Sequence, residues 1–155
     1  MFNGIIFNIG IIKKISKRKK GINLFVYSKI KITKKNIGMS ISCDGVCLTL
    51  INIRSKLMEF YLSDETLKRS KFKKVKIGDQ INIETPLKFG NQISGHITQG
   101  HIDFVGKISS IKKIDKSYLF NFIIKPKEIK NLVEKASISI NGISLTISKI
   151  TNKRF

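Results

Sequence analysis

Apolar residues recur at every second position through most of the chain, which is the period of a β-strand. Clear examples of this alternation are Leu24, Val26, Ile30, Ile32, Ile81 and Ile83. Turn signals separate the runs and fall at Gly21, at 36–38, at Asp44-Gly45 and at Gly78-Asp79. Many short strands bounded by such turns indicate an all-β domain, either a barrel or a sandwich.

Two short segments depart from the strand period and predict helices. The first covers 65–69. The second covers 126–134, where Pro126 suits a first helical turn and where Ile129, Leu132 and Val133 share one helical face. We therefore expect a strand-dominated fold with two small helical insertions.

One stretch of the chain occurs twice. Residues 40–50 read SISCDGVCLTL, and 97 residues later 137–147 read SISINGISLTI. Such a long spacing exceeds that of solenoid repeats and predicts two copies of a small domain. We place the first domain at 1–94 and the second at 95–155. Cys47 of the first copy corresponds to Ser144 of the second, which suggests two related sites for two similar ligands.

The net charge is the composition feature that most suggests a different function. The 155 residues include 30 Lys and Arg and 10 Asp and Glu, which gives a net charge of +20. Such a charge is large enough for a nucleic-acid-binding surface. Lysine, isoleucine, asparagine and phenylalanine are all abundant, however, as codon drift towards A and T would produce. The densest cluster, at 13–20, precedes Gly21 and predicts a solvated hairpin tip. Base reading favours arginine over lysine, so we expect no nucleic-acid partner.

The two cysteines and the apolar runs indicate the cellular compartment. Cys43 and Cys47 are four residues apart, and on a single strand they would share a face about 13 Å apart, too far to form a disulfide. Reduced thiols predict a cytoplasmic protein. No apolar run approaches the ~20 residues that span a bilayer, and the N-terminus lacks the features of a secretory signal. We expect no membrane partner.

Six short motifs in fixed order resemble one family. They are MFNGII at the N-terminus, DGVCLTL, DETL, GDQINIE, GHITQGH and NGISLTI. Their order and spacing resemble those of riboflavin synthase of the alpha-chain type, with its two lumazine-binding domains, and the resemblance covers the whole chain. It implies an all-β fold of two tandem Greek-key barrels of six strands each, in agreement with the strand pattern.

The resemblance also implies an activity. In this family two molecules of 6,7-dimethyl-8-ribityllumazine undergo dismutation, in which one donates a four-carbon unit to the other, giving riboflavin and 5-amino-6-ribitylaminouracil, the last step of riboflavin biosynthesis. The reaction would need no metal or redox cofactor, because the substrate ring itself accepts the electrons. The implied transferase is a homotrimer that pairs unlike barrels of neighbouring subunits, and lumazine synthase is a candidate partner.

Site residues are carried over from the family by position. For the first barrel, the implied substrate-binding residues are Gly4, Ile5, Ile6, Cys47, Leu48, Thr49, Tyr61, Leu62, Ser63, Asp64, Glu65 and Thr66. For the second barrel, they are Gly100, His101, Ile102, Lys135, Ser144, Leu145 and Thr146. The implied catalytic residues among them are His101, Cys47, Ser144 and Thr146.

His101 is the candidate for proton transfer, because an imidazole titrates near neutral pH. Cys47 would add to the ring or position a water, with a small buried cysteine as the alternative. His96 and His101 have no third ligand at a suitable spacing, so we expect no metal. Phe2 is either a stacking residue near the site or an anchor in the core.

The second copy is shorter than the first. It ends at Phe155, which aligns with Met58, so we expect it to lack its last strands, a second DETL-like segment, an acidic residue and a C-terminal helix of the family. Such a barrel would have unpaired edges and would aggregate or borrow strands. A fragment, a decaying gene and completion by a partner subunit are the three explanations.

Two other functions remain open from the sequence. The chain would be a non-catalytic lumazine- or flavin-binding protein, or an inactive fragment, if the short second copy prevents turnover. A basic RNA-binding barrel is the more distant alternative, for which exposed aromatic residues among the lysines would be needed. The chain contains no Trp and three Tyr, which disfavours it.

Overall fold

A computed structural model describes all 155 residues and shows a closed six-stranded barrel in the first half of the chain. Its strands are β1 (Asn8–Lys17), β2 (Ile22–Ser28), β3 (Ser40–Cys43), β4 (Val46–Arg54), β5 (Leu57–Leu62) and β6 (Gln80–Glu84). Their order around the barrel is β1-β2-β5-β4-β3-β6, and β6 returns to β1. All neighbouring pairs are antiparallel. The all-β prediction is confirmed.

Alternation along each strand fills the barrel interior. Successive side chains point to opposite faces of a sheet, and the inward row of each strand provides residues such as Leu24, Ile41, Leu50 and Phe60, all fully buried. Gly10 on β1 has no room for a side chain, because a Cβ there would lie 2.5 Å from Val26. The side chains of the outward row point away from this core, where they can line a binding site or contact other parts of the chain.

The two cysteines lie on different strands, contrary to the single-strand prediction. Asp44 and Gly45 have φ values of 46° and 82°, the paired positive values of a two-residue hairpin turn. Cys43 therefore ends β3 and pairs with Val46, whereas Cys47 lies on β4 opposite Ser42. Since directly paired residues share a face, Cys43 points into the core and Cys47 points outward. Both thiols are free.

The basic cluster is only partly a hairpin tip. Strand β1 continues to Lys17, so Lys13, Lys14 and Lys17 lie on the strand itself, and only 18–20 belong to the turn. The Nζ of Lys14 lies 5.2 Å from the centre of the Phe25 ring. β1 remains paired with β2 up to Lys17, since Ile15 pairs with Leu24 and Lys17 pairs with Ile22.

The second half contains two separate hairpins. The strands are β7 (Lys107–Ile114), β8 (Ser117–Ile123), β9 (Ser137–Ile140) and β10 (Ile143–Thr146). β7 pairs only with β8, and β9 only with β10. These four strands repeat β1 to β4, and in the first barrel β5 joins β2 to β4 while β6 joins β1 to β3. No strand occupies either joining position in the second half, so the second barrel is only partly formed.

Arg154 and Phe155 lie where β5 begins in the first barrel, but they form an isolated bridge and no strand. Phe155 exchanges backbone hydrogen bonds of 2.9 and 3.2 Å with Phe122, and their rings stack with centres 5.1 Å apart. In the first barrel, Met58 pairs with Val26 in the same way. The alignment of Phe155 with Met58 is thus reproduced in three dimensions.

One helix follows the prediction and the other is shorter than predicted. Helix α1 covers Asp64–Arg69, and the Ser63 side chain caps it by accepting from the Thr66 N–H. Helix α2 covers only Pro126–Ile129. An amphipathic helix is stabilised mainly by packing of its apolar face, and Val133, 66% exposed, finds no closed core to pack against.

The two halves meet through reciprocal backbone contacts. The N–H of Phe2 donates to the Thr98 carbonyl and the N–H of Thr98 to the Phe2 carbonyl, at 2.8 and 3.0 Å. A Cβ on Gly45 would lie 2.8 Å from the nitrogen of Gly142, and a Cβ on Gly142 would lie 2.9 Å from the nitrogen of Gly45. These paired contacts define an approximate twofold axis between the halves. Phe2 is completely buried there and serves as an anchor.

An ion pair between the buried Asp44 carboxylate and the exposed Lys71 side chain supports the Asp44-Gly45 turn. Asp44 Oδ2 lies 2.6 Å from Lys71 Nζ, and Asp44 Oδ1 accepts from the Asn82 N–H at 2.8 Å. The Asn82 side chain in turn donates to the Asn141 carbonyl of the opposite turn at 2.9 Å. The turns on both sides of the axis are thereby connected.

Neither α1 nor α2 has the length and hydrophobicity of a membrane-spanning helix.

Candidate functional site

A pocket of about 250 Å³ lies on the outer face of the first barrel. Its lining residues are Cys47, Leu48, Thr49, Ile51, Tyr61, Ser63 and Thr66. All of them except Ile51 belong to the set carried over from the family. Ile51 was missed, although it continues the outward alternation of Cys47 and Thr49 along β4.

Local structure fixes the polar wall of this pocket. The Ser63 and Thr66 hydroxyl oxygens lie 3.0 Å apart as part of the α1 cap. The Tyr61 hydroxyl donates to the Lys20 carbonyl, which ties the pocket to the basic turn. Gly21 of that turn packs on the Leu62 carbonyl, only 2.1 Å from where a Cβ would stand. The pocket therefore presents hydroxyls and one thiol around an apolar floor.

Three predicted residues of this segment lie outside the lining. Leu62 points into the core and is completely buried. Asp64 and Glu65 are exposed on α1, and the side-chain hydrogen bond from Arg69 lowers the pKa of Glu65. Glu65 is thus committed to a surface ion pair.

The N-terminal segments of the two halves are exchanged. The N–H of Ser144 donates to the Gly4 carbonyl, and the N–H of Cys47 donates to the Gly100 carbonyl, both at 2.8 Å. A Cβ on Gly4 would lie 2.8 Å from the Ser144 Cβ, and one on Gly100 would lie 2.6 Å from the Cys47 Cβ. Each glycine therefore packs against the other half of the chain.

This exchange corrects the predicted grouping of the site residues. Gly100, His101 and Ile102 were assigned to the second barrel, but their segment runs beside Cys47, and Ile102 packs on the first-barrel core. Gly4, Ile5 and Ile6 were assigned to the first barrel, but Gly4 lies beside Ser144. Each segment lies beside the other half because the two segments cross at the reciprocal backbone hydrogen bonds between Phe2 and Thr98.

The Ser144 side chain is paired with His96, whereas the predicted proton-transfer residue is His101. The Ser144 hydroxyl oxygen lies 2.7 Å from His96 Nδ1. His101 is exposed and borders a larger cleft. The spacing of His96 and His101 suggested only a metal site, and no local motif indicates that Gly95 and His96 lie beside Ser144.

The other second-half residues have an open environment. Lys135 is exposed with a φ of 68°, and its N–H donates to the Ile147 carbonyl at 2.8 Å. Leu145 and Thr146 are exposed on β10. No counterparts of Tyr61, Ser63 and Thr66 wall this site. It therefore differs in shape from the first pocket.

A cavity of about 990 Å³ opens within the second half. Apolar residues such as Phe104, Phe120, Phe122, Leu132 and Ile138 line it, and Asp44 and Lys71 border it from the first half. It corresponds to the interior that β5 and β6 close in the first barrel.

The two thiols differ in chemical character. Burial raises the pKa of the Cys43 thiol well above its ordinary value, and the neighbouring Asp44 carboxylate raises it further. Cys43 is therefore held as a neutral core residue. Cys47 is half-buried at the pocket and is the thiol available to a ligand. No group of three or more His, Cys, Asp and Glu side chains is arranged to bind a metal.

The lumazine binding domain profile matches residues 3–86 and 99–155. Riboflavin synthase of Buchnera aphidicola subsp. Schizaphis graminum is 36% identical over 157 residues, covering 100% of this chain and 76% of the relative. Those of Actinobacillus pleuropneumoniae and Chlamydia trachomatis are each 32% identical, with 100% of this chain and 72% and 75% of the relatives covered.

Solved structures show the same fold. LumP complexed with 6,7-dimethyl-8-(1'-D-ribityl) lumazine has a TM-score of 0.82 at 23% identity, with 99% of this chain and 83% of that chain covered. LumP complexed with riboflavin has a TM-score of 0.84 at 25% identity, with 99% and 84% covered. Together with the matches along the whole sequence, this likeness shows that the chain belongs to the riboflavin synthase family of lumazine-binding proteins.

Proposed function

We propose that the chain catalyses the riboflavin synthase reaction, in which one molecule of 6,7-dimethyl-8-ribityllumazine donates a four-carbon unit to a second, giving riboflavin and 5-amino-6-ribitylaminouracil. The observation that carries the proposal is the first-barrel pocket, whose hydroxyls and thiol lie on the residues that match the family's binding segments. The second, related site at Ser144 supports a reaction between two copies of one substrate.

The roles follow from the chemistry of the side chains. Thr49, Ser63 and Thr66 offer hydroxyls to the polar edge and ribityl chain of the lumazine. Cys47 adds to the ring or positions a water. His101, carried by the segment that packs on Cys47, moves the proton of the reacting methyl group. Placing two rings in a reacting orientation can lower a barrier by about 7 to 11 kcal/mol.

The second-half site would hold the other lumazine. Ser144 and Thr146 provide hydroxyls there, and Lys135 provides a positive charge. Assembly into a homotrimer would bring this site of one subunit to the first-barrel pocket of a neighbour, and would cover the open second half. The domain division at 1–94 and 95–155 is part of the same proposal.

Non-catalytic lumazine or flavin binding is the second candidate. The observation that favours it is the open second half, where no strand stands in the places of β5 and β6 and where the Ser144 site lacks one wall. A chain with one complete pocket would bind one lumazine and would form no product.

One incubation separates the two candidates. The purified chain is mixed with 6,7-dimethyl-8-ribityllumazine, and the products are separated by chromatography. Riboflavin and the pyrimidine in equal amounts are expected for the synthase. Binding of the lumazine without either product would identify the carrier, and the absence of both binding and product would refute both candidates.

A further inference from the structure

Glu84 is a buried carboxylate at the end of β6, on the outward face of the first barrel. It pairs with Ser42, which also pairs with Cys47, so the three residues form one row across the sheet. Only 8% of Glu84 is exposed, and it takes part in none of the ion pairs. A buried carboxylate is costly unless hydrogen bonds satisfy it.

The partners of Glu84 are two backbone amides. Its Oε1 accepts from the Asn3 N–H at 2.7 Å, and both carboxylate oxygens lie 3.1 Å from the Gly4 nitrogen. Hydrogen bonds to a charged acceptor are the stronger kind. The carboxylate therefore fixes the backbone of the N-terminal segment at these two residues.

The same two residues hold the second half in place. The Asn3 carbonyl accepts from the His96 N–H at 3.1 Å, and the Asn3 side chain accepts from the Gly95 N–H at 2.8 Å. The Gly4 carbonyl accepts from the Ser144 N–H at 2.8 Å. Both members of the 2.7 Å contact between His96 and Ser144 are thus attached to the segment that Glu84 fixes.

We propose that Glu84 is a positioning residue for the His96–Ser144 pair, which it holds across the boundary between the two halves through Asn3 and Gly4. No carboxylate fixes the corresponding segment beside the first-barrel pocket. Gln99 and Gly100 correspond to Asn3 and Gly4, and no side chain accepts from their backbone N–H groups. Loss of the carboxylate should therefore disturb the Ser144 site selectively.

The chain has two histidines, which makes the proposal directly measurable. In Glu84→Ala, the ring ¹⁵N and Hε1 signals of His96 should shift by more than a linewidth, because its partner Ser144 is no longer held. His101 serves as the internal control and should keep its signals. The variant His101→Gln assigns the two sets.

A matched variant controls for the loss of a carboxylate in the same barrel. Glu59→Ala removes a group that accepts from the Asn23 and Asn52 side chains, at 2.6 and 3.5 Å, and it should leave His96 unchanged. Unchanged His96 signals in folded Glu84→Ala, or equal shifts of both histidines, would overturn the proposal. If Glu84→Ala does not fold, Glu84→Gln, which keeps one acceptor oxygen, is read in the same way.

The consequence for turnover rests on the proposed function. Glu84→Gln should lower kcat at least fivefold while the lumazine affinity of the first-barrel pocket stays within twofold. If the unaltered chain shows no turnover, the proposed function fails, but the shift of the His96 signals still decides whether Glu84 positions this pair.

Discussion

Replacing Gly100 by alanine tests the exchange of the N-terminal segments. Gly100 has a φ of 83°, and a residue with a Cβ in this region costs about 1 to 2 kcal/mol. The added Cβ would also stand 2.6 Å from the Cys47 Cβ, whereas carbon atoms in contact prefer about 3.5 to 4.0 Å. The segment must therefore move by about 1 Å, and such overpacking typically costs about 1 to 3 kcal/mol.

Gly90 is the matched control for the backbone contribution. It has the same φ of 83°, and a Cβ there would meet nothing within 4 Å. Gly90→Ala should lower the free energy of unfolding by about 1 to 2 kcal/mol, and Gly100→Ala by about 2 to 5 kcal/mol. Urea unfolding of the two variants and of the unaltered chain gives the difference.

Ligand binding provides the second measurement for this variant. Gly100 packs on Cys47 of the first-barrel pocket, so its displacement should weaken lumazine binding, which the fluorescence of the ligand reports. Gly90→Ala should bind as the unaltered chain does. If Gly100→Ala is no less stable than Gly90→Ala and binds equally well, the packing of Gly100 on Cys47 is wrong.

Three further predictions concern the pocket, the thiols and the ion pair of Asp44 with Lys71. Thr66→Val should weaken lumazine binding by about 1 to 2 kcal/mol through loss of a hydroxyl, and a fluorescence titration that shows unchanged affinity would remove Thr66 from the site. Under native conditions at pH 7, iodoacetamide should modify Cys47 and spare Cys43, whose raised pKa keeps its thiol neutral; mass spectrometry of the peptides decides, and equal labelling would contradict the burial of Cys43. Asp44→Ala should cost about 1 to 3 kcal/mol in urea unfolding because Lys71 and a backbone amide lose their acceptor, while an unchanged midpoint would show that the pair contributes nothing.

Local patterns in the sequence predicted an all-β domain, and the family resemblance supplied the choice of a six-stranded barrel. The period-two alternation located β2 and β6, although Ile30 and Ile32 lie beyond the end of β2, and the helix predicted at 65–69 agrees with α1. Cys43 and Cys47 were placed on one strand although the Asp44-Gly45 turn signal lies between them, because apolar residues continue on both sides of this two-residue turn. The local patterns also overestimated α2, because amphipathic spacing does not report whether a closed core exists for the apolar face.

The sequence predicted the part of the candidate site that is formed by residues close together in the chain. It did not predict the part that is formed by contacts between distant segments. The residues around Cys47 and Tyr61 are consecutive on neighbouring strands, so short motifs contained most of the pocket. The contacts of Ser144 with Gly4 and His96 join positions far apart in the chain. They form because the segments at 2–4 and 95–100 cross each other at the boundary between the halves. Neither segment contains a sequence motif that indicates which strand it will contact.

The contact between Gly45 and Gly142 limits which residues can stand in the two facing turns. At that point the halves touch backbone to backbone, and a Cβ on either glycine would lie within 3 Å of the nitrogen of the other. Any other residue at 45 or 142 would therefore push the turns apart and lengthen the neighbouring hydrogen bond from the Asn82 side chain to the Asn141 carbonyl. The lysines at 13–20 take no part in this contact, so substitutions among them leave the junction of the halves unchanged.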